Sequence, residues 1–208
     1  MSNEATIIGY SGHAYVVLDI MMANNYKLIG YCDVVSKEIN PFNLRYLGTE
    51  ANSDTINKIK NYSAFLGIGD NVIRGTVYKR LQQKAVECPV AIHPNATVSN
   101  YAEVGSGSVI MAGAVINAFA KIGNAVICNT LCIIEHECII NSCVHIAPGA
   151  VLAGNVIVGE NSFIGANAVI KQGITIGSDV IIGAGAVVTK NIPNRSVVYG
   201  NPAKKYEK

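Results

Sequence analysis

The most constraining feature of this sequence is a six-residue repeat that runs without a slip from Ile92 to Val188. In seventeen consecutive windows the first position holds Val, Ile or Leu, with Cys128 as the single exception. A second small or apolar residue follows four positions later, and Gly, Asn and Asp crowd the positions between. Helices repeat every 3.6 residues and flat strands every 2, so neither fits. A period of six predicts short strands and tight turns stacked as a parallel β-helix over about residues 92–193, with the aliphatic positions inward and no long helix.

The periodic region resembles the hexapeptide-repeat acyltransferases, whose β-helix is left-handed and has three six-residue faces. The resemblance implies eighteen residues per coil, so residues eighteen apart lie one above the other. It also implies a homotrimer with acetyl-CoA in the cleft between adjacent prisms. The two ends and the apolar face of a single prism favour association as well.

A change in composition near Val90 predicts two domains, residues 1–88 and 89–208. Before it, short apolar strands alternate with helical patterns, which is typical of a small parallel sheet with Rossmann-like winding. The predicted strands are 5–8, 27–32 and 64–68, and the predicted helices are 14–24, 54–60 and 72–84. The predicted fold is therefore a Rossmann-like α/β domain followed by an all-β, left-handed parallel β-helix.

Charge and hydropathy argue against several classes of function. The formal net charge is +2 and Lys and Arg form no run, so a nucleic-acid partner is not expected. No apolar stretch reaches the ~18 residues of a membrane span, and the N-terminus lacks the pattern of a signal peptide. We expect a cytoplasmic protein with reduced cysteines. Cys128, Cys132 and Cys138 occupy inward repeat positions without C-x-x-C spacing, which predicts core packing rather than a metal site.

The N-terminal turn between the first strand and the first helix contains Gly9 and Gly12. It lacks the three glycines of the dinucleotide fingerprint, so NAD is not favoured. Free amides at such a turn attract phosphate oxygens, although a purely structural turn explains the glycines equally well. Asp33 ends the second strand, where folds of this kind bind a ribose or a base.

Four segments carry a resemblance that covers nearly the whole chain: Gly9–Ala14, Ile68–Arg74, Ile134–Ile139 and Tyr199–Lys204. They resemble the sugar-nucleotide N-acetyltransferases of bacterial diamino-sugar pathways, which acetylate a UDP-linked 4-amino sugar, and their sialic-acid-modifying relatives. The I-E-H-E-C segment is specific to this group. The resemblance implies substrate contacts from Gly12, His13, Ala14, Asp33 and Gly69.

His136 is the candidate catalytic base. It sits third in its window, at an outward position between Glu135 and Glu137, although a histidine that merely decorates a solvated face would look the same. An amine that attacks a thioester must lose a proton, and histidine titrates in the range suited to take it. A carboxylate on the other ring nitrogen would orient the ring. Spacing alone leaves Glu135 and Glu137 open, whereas the family pattern implies Glu137.

The cofactor residues follow from coil arithmetic and from the resemblance. One coil of eighteen above His136 lies Gly154, where a thioester carbonyl could approach a backbone amide as in an oxyanion hole. The resemblance implies that His145 contacts acetyl-CoA near its thioester and that Asn129 lines the same pocket. It also implies that the backbone at Ala166 and Ala184 meets the pantetheine arm.

These features predict an acetyl-CoA-dependent N-acetyltransferase acting on a UDP-linked amino sugar, most simply a UDP-4-amino-4,6-dideoxy-N-acetylhexosamine, for bacterial surface glycans or protein glycosylation. A sialic-acid-type sugar O-acetyltransferase is an alternative, because it would use the same base. A zinc enzyme resembling β-helix carbonic anhydrases needs two histidines five residues apart, whereas His136 and His145 are nine apart. A non-catalytic scaffold that binds a nucleotide sugar is the alternative of another class.

Overall fold

The computed structural model describes residues 3–206 and begins with a four-stranded, fully parallel sheet. Its strand order is β3-β2-β1-β4, the winding expected for a Rossmann-like domain. The elements are β1 Glu4–Ile8, α1 Gly12–Ala23, β2 Lys27–Cys32, β3 Tyr46–Gly48, α2 Ser53–Ile59, β4 Ser63–Leu66 and α3 Asn71–Gln83. The predicted strands and helices are confirmed to within two residues at each end. The prediction missed β3, because three half-buried residues are too short to show a period.

Helix α3 begins where its sequence provides a cap. The Asp70 carboxylate accepts a hydrogen bond from the Ile73 amide at 2.8 Å, which satisfies one of the free donors of the first turn. Arg74, Val77 and Leu81 form the buried side of this helix. The helix therefore lies with one face against the rest of the molecule and begins at the carboxyl edge of the sheet.

The second domain is a left-handed parallel β-helix made of two-residue strands. In chain order β5 to β21 are Ala91–Ile92, Thr97–Val98, Glu103–Val104, Val109–Ile110, Val115–Ile116, Lys121–Ile122, Ile127–Cys128, Ile133–Ile134, Ile139–Ile140, His145–Ile146, Val151–Leu152, Ile157–Val158, Phe163–Ile164, Val169–Ile170, Thr175–Ile176, Ile181–Ile182 and Val187–Val188. Strands β22 (Val197–Tyr199) and β23 (Lys204–Lys205) complete it. No helix within residues 3–206 is long and apolar enough to cross a membrane.

Three faces form because each strand from β5 to β21 pairs with the strand eighteen residues before or after it. Face 1 contains β5, β8, β11, β14, β17, β20, β22 and β23, face 2 contains β6, β9, β12, β15, β18 and β21, and face 3 contains β7, β10, β13, β16 and β19. Asn155, Asn161 and Asn167 occupy corner positions with φ between 55° and 60°. Asn and Gly tolerate this left-handed conformation best, which explains their abundance between the repeat positions.

The interior of the β-helix contains the repeat positions, from Ile110 to Val188, all between 0% and 4% exposed. At the first coil the repeat positions are less buried, although Val98 and Val104 still pack against the core of the β-helix. Ile92 is 37% exposed, and Val98 and Val104 are only partly buried. No earlier coil lies beneath them, so the first layer of side chains loses half of its packing partners.

The N-terminal domain packs along face 1 of the β-helix. Ala91, Val109, Met111 and Ile127 belong to the same apolar cluster as α1 and the parallel sheet. Because these contacts form one continuous seam, the carboxyl edge of the sheet is held beside the middle coils. The boundary that we predict between residues 88 and 89 falls in the segment that joins α3 to β5.

Candidate active site

His136 lies at the corner between faces 2 and 3, after β12 and before β13. Its side chain is 52% exposed, and its Nδ1 lies 3.1 Å from Glu137 Oε2. Glu137 has a φ of 60°, and this turn conformation brings its carboxylate back onto the ring of the preceding residue. When the carboxylate accepts from Nδ1–H, Nε2 stays free to accept a proton from a substrate.

The structure distinguishes Glu135 from Glu137, the two residues that sequence spacing left open as partners of His136. Glu135 Oε2 accepts a hydrogen bond from Asn117 Nδ2 at 2.9 Å, one coil below, so this carboxylate is engaged away from the ring. Glu137 alone of the pair contacts His136. The arrangement therefore fits Glu137 as the residue that orients the imidazole, as the family pattern implies.

Gly154 lies against the His136 ring, as the coil arithmetic predicts. A Cβ atom built on Gly154 would stand 2.6 Å from His136 Nε2, closer than any real contact allows. The Gly154 amide donates to no backbone acceptor within residues 3–206. A free donor beside a free basic nitrogen is the pair that acyl transfer needs, one for the oxyanion and one for the proton.

His145 and Asn129 form a second cluster on the side of the N-terminal domain. Asn129 Nδ2 lies 3.0 Å from His145 Nε2, and the ring centroids of His145 and His13 are 6.4 Å apart. Burial lowers the pKa of His145 to about 3, and the nearby charge of Arg74 and the ring of His13 add to the effect. Burial, followed by Arg74, lowers the pKa of His13 to about 4. Both rings are neutral at physiological pH.

The predicted substrate residues lie around the carboxyl edge of the parallel sheet. Asp33 and Gly69 line a cleft of about 380 Å³ there. Gly12 and His13 begin helix α1 next to it, and Gly12 faces open space. The side chain of Ala14 is fully buried, so it could meet a ligand only through its backbone.

Asp33 is already engaged by the protein. Its Oδ2 accepts from the Tyr10 amide at 2.9 Å, and its Oδ1 lies 3.2 Å from the Lys37 ammonium. The carboxylate therefore fixes the turn after β1 as well as lining the cleft. Lys37 was absent from the sequence prediction, because a single lysine in a loop has no distinguishing pattern.

The residues predicted to line the acetyl-CoA pocket lie at two different corners of the β-helix. Asn129, Ala166 and Ala184 lie between faces 1 and 2, whereas His136 and Gly154 lie between faces 2 and 3. The whole of face 2 separates the two sets within one chain. An acetyl-CoA molecule bound along one corner of this β-helix therefore contacts only one of the two sets of residues.

Arg74 is a buried residue for which the sequence pattern predicts no role. It is 1% exposed and hydrogen-bonded to both domains. The I-G-D-N-x-x-R segment contained it, but its partners are mostly backbone carbonyls, which carry no residue-type signal. Within residues 3–206 no group of three or more His, Cys, Asp or Glu side chains could hold a metal ion.

Comparisons with known proteins agree with this layout. Residues 4–81 match the PglD N-terminal domain and residues 155–190 match the hexapeptide repeat of succinyl-transferase. The acetyltransferase domain of PglB from Neisseria gonorrhoeae FA1090, in complex with acetyl coenzyme A, is 35% identical with a TM-score of 0.93, covering 99% of this chain and 100% of that chain. A mutant perosamine N-acetyltransferase from Caulobacter crescentus, in complex with CoA and GDP-perosamine, is 32% identical with a TM-score of 0.92, covering 99% and 97%. WeeI from Acinetobacter baumannii AYE is 25% identical with a TM-score of 0.87, covering 97% and 99%.

Proposed function

Because this chain belongs to the hexapeptide-repeat family of acetyl-CoA-dependent sugar N-acetyltransferases, we propose that it acetylates the amine of a UDP-linked amino sugar. The acceptor in this proposal is a UDP-4-amino-4,6-dideoxy-N-acetylhexosamine, and the product serves surface glycans or protein glycosylation. The observation that carries the proposal is the His136–Glu137 pair, set against the free amide of Gly154. We place the reaction in the cytoplasm, where the six cysteines of the chain would stay reduced.

In the proposed reaction the neutral amine of the sugar attacks the thioester carbonyl of acetyl-CoA. His136 Nε2 removes the proton that the nitrogen must lose, and Glu137 stabilises the imidazolium that results. The Gly154 N–H donates to the oxyanion of the tetrahedral intermediate. When the intermediate collapses, the C–S bond breaks, and His136 returns the proton to the CoA thiolate.

The nucleotide base is the part of this proposal that most needs a direct test. The relative from Caulobacter crescentus binds GDP-perosamine, so a guanine nucleotide is the obvious competitor. We propose to offer matched UDP- and GDP-linked 4-amino-4,6-dideoxy sugars with acetyl-CoA and to follow the release of free thiol. Turnover of the UDP sugars with much weaker turnover of the GDP sugars is the expected result. The opposite preference would overturn the UDP assignment, and a 4-hydroxy analogue distinguishes O-acetylation.

We also propose that the complete site forms between subunits of a homotrimer. His136 and Gly154 share one corner, while Asn129, Ala166 and Ala184 share another, on the far side of face 2. Two neighbouring prisms can bring these corners together around one acetyl-CoA, with a residue set from each chain. His136 and Gly154 then serve a site from the same chain, whereas the pantetheine wall comes from its neighbour.

Subunit mixing tests this arrangement. His136→Ala removes the base, and Ala184→Trp fills the exposed corner that the pantetheine arm would follow. In trimers mixed at random from these two inactive chains, about a quarter of sites regain both wild-type corners, so partial activity should return. Mixing His136→Ala with Gly154→Phe should restore nothing, since both changes lie at one corner. A fully active monomer in sedimentation and assay at one concentration would contradict the between-subunit model.

A further inference from the structure

The guanidinium of Arg74 holds the β-helix through backbone carbonyls of two successive coils. Its Nε donates to Ala125 O at 2.8 Å, and its Nη2 donates to Cys143 O at 3.0 Å and to Val144 O at 3.3 Å. The side chain is 1% exposed, and within residues 3–206 it has no carboxylate among its hydrogen-bond partners. Burial lowers the pKa of Arg74 to about 10, so the group remains charged at neutral pH. Burying a cation whose hydrogen-bond acceptors are all neutral costs free energy of folding. This cost suggests that the arrangement of Arg74 serves a function.

The same guanidinium also holds the loop between β4 and α3. Its Nη1 donates to Gly69 O at 2.9 Å and to Ile68 O at 3.2 Å, while Nη2 donates to Asn71 Oδ1 at 2.8 Å. Two consecutive peptide carbonyls therefore point inward at one nitrogen of the guanidinium. The planar fork of arginine suits such a set of fixed acceptors, whereas the single ammonium of lysine cannot reach all of them.

The inward carbonyls determine where the amides of this loop point. In a trans peptide the C=O and the N–H lie on opposite sides, so the N–H groups of Gly69 and Asp70 point away from Arg74. Gly69 and Asp70 line the cleft at the carboxyl edge of the sheet. Neither amide donates to a backbone acceptor in the part of the chain that the structure describes.

The side chains of the cleft leave an anion few other donors. Lys37, the cation among the lining residues, is paired with Asp33 at 3.2 Å. The Glu50 carboxylate, which also lines the cleft, forms an ion pair with Arg80. Ser11 supplies one further hydroxyl donor in the lining, so a phosphate group in this cleft would be held mainly by backbone N–H donors, as in other sites built from consecutive amides.

We propose that Arg74 is a positioning residue, which turns the Gly69 and Asp70 amides into the cleft so that they bind the diphosphate of the nucleotide sugar. The inference rests on the proposed function only in taking the ligand to be a nucleoside diphosphate. Arg74 itself does not touch the ligand. It acts from the buried side of the loop, and it ties the orientation of the amides to the coils of the β-helix.

Calorimetry with UDP, GDP, uridine and acetyl-CoA tests the role of the guanidinium. We expect Arg74→Lys and Arg74→Gln to weaken the binding of the nucleoside diphosphate by about 10- to 100-fold, because two hydrogen bonds to a charged group are misaligned. Binding of acetyl-CoA should change little, and KM for the sugar nucleotide should rise more than kcat falls. Lys79→Gln removes a charge from the exposed side of the same helix and is the matched control. A folded Arg74→Lys protein with unchanged diphosphate affinity would overturn the proposal.

A second pair of variants tests the amides even if Arg74 cannot be replaced without unfolding. Asp70 has a φ of −67°, which a proline ring adopts without strain. Asp70→Pro and Asp70→Ala both lose the side-chain cap of α3, but only Asp70→Pro also loses the N–H. We expect Asp70→Pro to bind UDP about tenfold more weakly than Asp70→Ala, with equal binding of uridine.

The outcomes separate this inference from the proposed function. Wild-type protein that binds neither UDP nor GDP contradicts the proposed function. Wild-type protein that binds one of them, while Asp70→Pro and Asp70→Ala bind it equally, contradicts the role assigned to the amides. If the ligand proves to be GDP, the same variants are measured with GDP and guanosine.

Discussion

The β-helix and the N-terminal domain are stabilised by contacts of different kinds. In the β-helix every inner residue packs on its equivalents one coil away, as Ile146 does between Cys128 and Ile164. In the N-terminal domain each contact is unique, for example the stacking of Tyr10 on Tyr31 at a centroid distance of 4.2 Å. In a repeat, the position of a residue in the sequence determines which face or corner of the β-helix it occupies. The N-terminal domain must instead be placed by specific contacts, of which the Arg74 hydrogen bonds are the most concentrated.

This difference suggests a division of labour between chemistry and recognition. The proposed acid–base pair, His136 and Glu137, and the Gly154 amide lie at one corner of the regular domain, on a backbone fixed by the coils above and below. The cleft that we propose for the nucleotide lies at the edge of the irregular domain, among loops held by individual side chains. We therefore expect substitutions in the first region to change turnover and substitutions in the second to change affinity.

The largest expected effect is that of His136→Ala, which removes the proposed base. Turnover should fall by roughly 10²- to 10⁴-fold, the range for loss of a general base, while affinity for both substrates stays close to that of the wild type. Steady-state kinetics and calorimetry measure the two quantities separately. His93→Ala, which removes another histidine from a turn of the β-helix, is the control. Near-normal turnover in a correctly assembled His136→Ala protein would make this histidine a surface residue only.

Gly154→Ala should produce the next largest effect. The new methyl group would stand 2.6 Å from His136 Nε2, so the ring must move from its place over the amide. We expect turnover to fall by about 10- to 100-fold, since small misplacements of reacting groups have effects of this size. In the His136→Ala background the same substitution should cost much less, because the ring is no longer there. Equal losses in both backgrounds would show that Gly154 acts independently of the histidine.

Asp33→Ala should have a smaller effect, and it should concern binding. Loss of the carboxylate removes the predicted contact with the ribose or base and leaves the turn after β1 without the Asp33–Tyr10 hydrogen bond, so we expect the sugar nucleotide to bind about tenfold more weakly. Calorimetry should show unchanged affinity for acetyl-CoA. Asp54→Ala, at the first turn of α2, is a suitable control. If acetyl-CoA affinity falls instead, the two domains do not divide recognition as described.

The last prediction concerns stability at the seam between the domains, and it changes neither the base nor the nucleotide cleft. The pKa values of His13 and His145 are lowered to about 4 and about 3 in the folded protein, against 6.5 for the free side chain. As the pH falls below about 6.5, His13 and His145 become protonated in the unfolded chain but stay neutral in the folded chain. Each such histidine should therefore lower the free energy of unfolding by up to about 1.4 kcal/mol per pH unit.

Urea titrations between pH 8 and pH 5 measure this loss. His145→Gln should make the free energy of unfolding less dependent on pH, because only one histidine with a lowered pKa remains at the seam. The difference between this variant and the wild type at pH 8, where both rings are neutral, reports the changes in packing and in hydrogen bonding to Asn129. An equally steep dependence in the variant would contradict the assignment of the seam histidines.

The sequence predicts the β-helix far better than it predicts the contacts between the domains. Counting by six and by eighteen places Gly154 on the His136 ring, because every coil repeats the same geometry. The repeat does not predict that Ile92 is exposed, because it shows where the first coil begins but not whether other residues cover that end of the β-helix. It cannot choose between Glu135 and Glu137 either, because both flank the ring in sequence and only their partners differ.

The role of Arg74 was beyond sequence analysis for a different reason. Its partners Ala125, Cys143 and Val144 lie 51 to 70 positions away and offer carbonyl oxygens, which every residue type possesses. Strand β3 escaped notice because three residues give no period. Short strands and hydrogen bonds to backbone carbonyls are thus the features that the sequence pattern does not predict.

The pairing of strands at a fixed interval restricts how genes for such proteins can change length. Ile164 pairs with Ile182, so removing a full coil of eighteen residues leaves every later side chain on its own face, about 4.8 Å lower along the axis. Removing six residues, such as 172–177, keeps the apolar rhythm intact but carries Ala184 to a different corner. A shortened gene of that kind would still encode a regular solenoid, with its cofactor groove broken. Functional descendants are therefore expected to differ in length by whole coils.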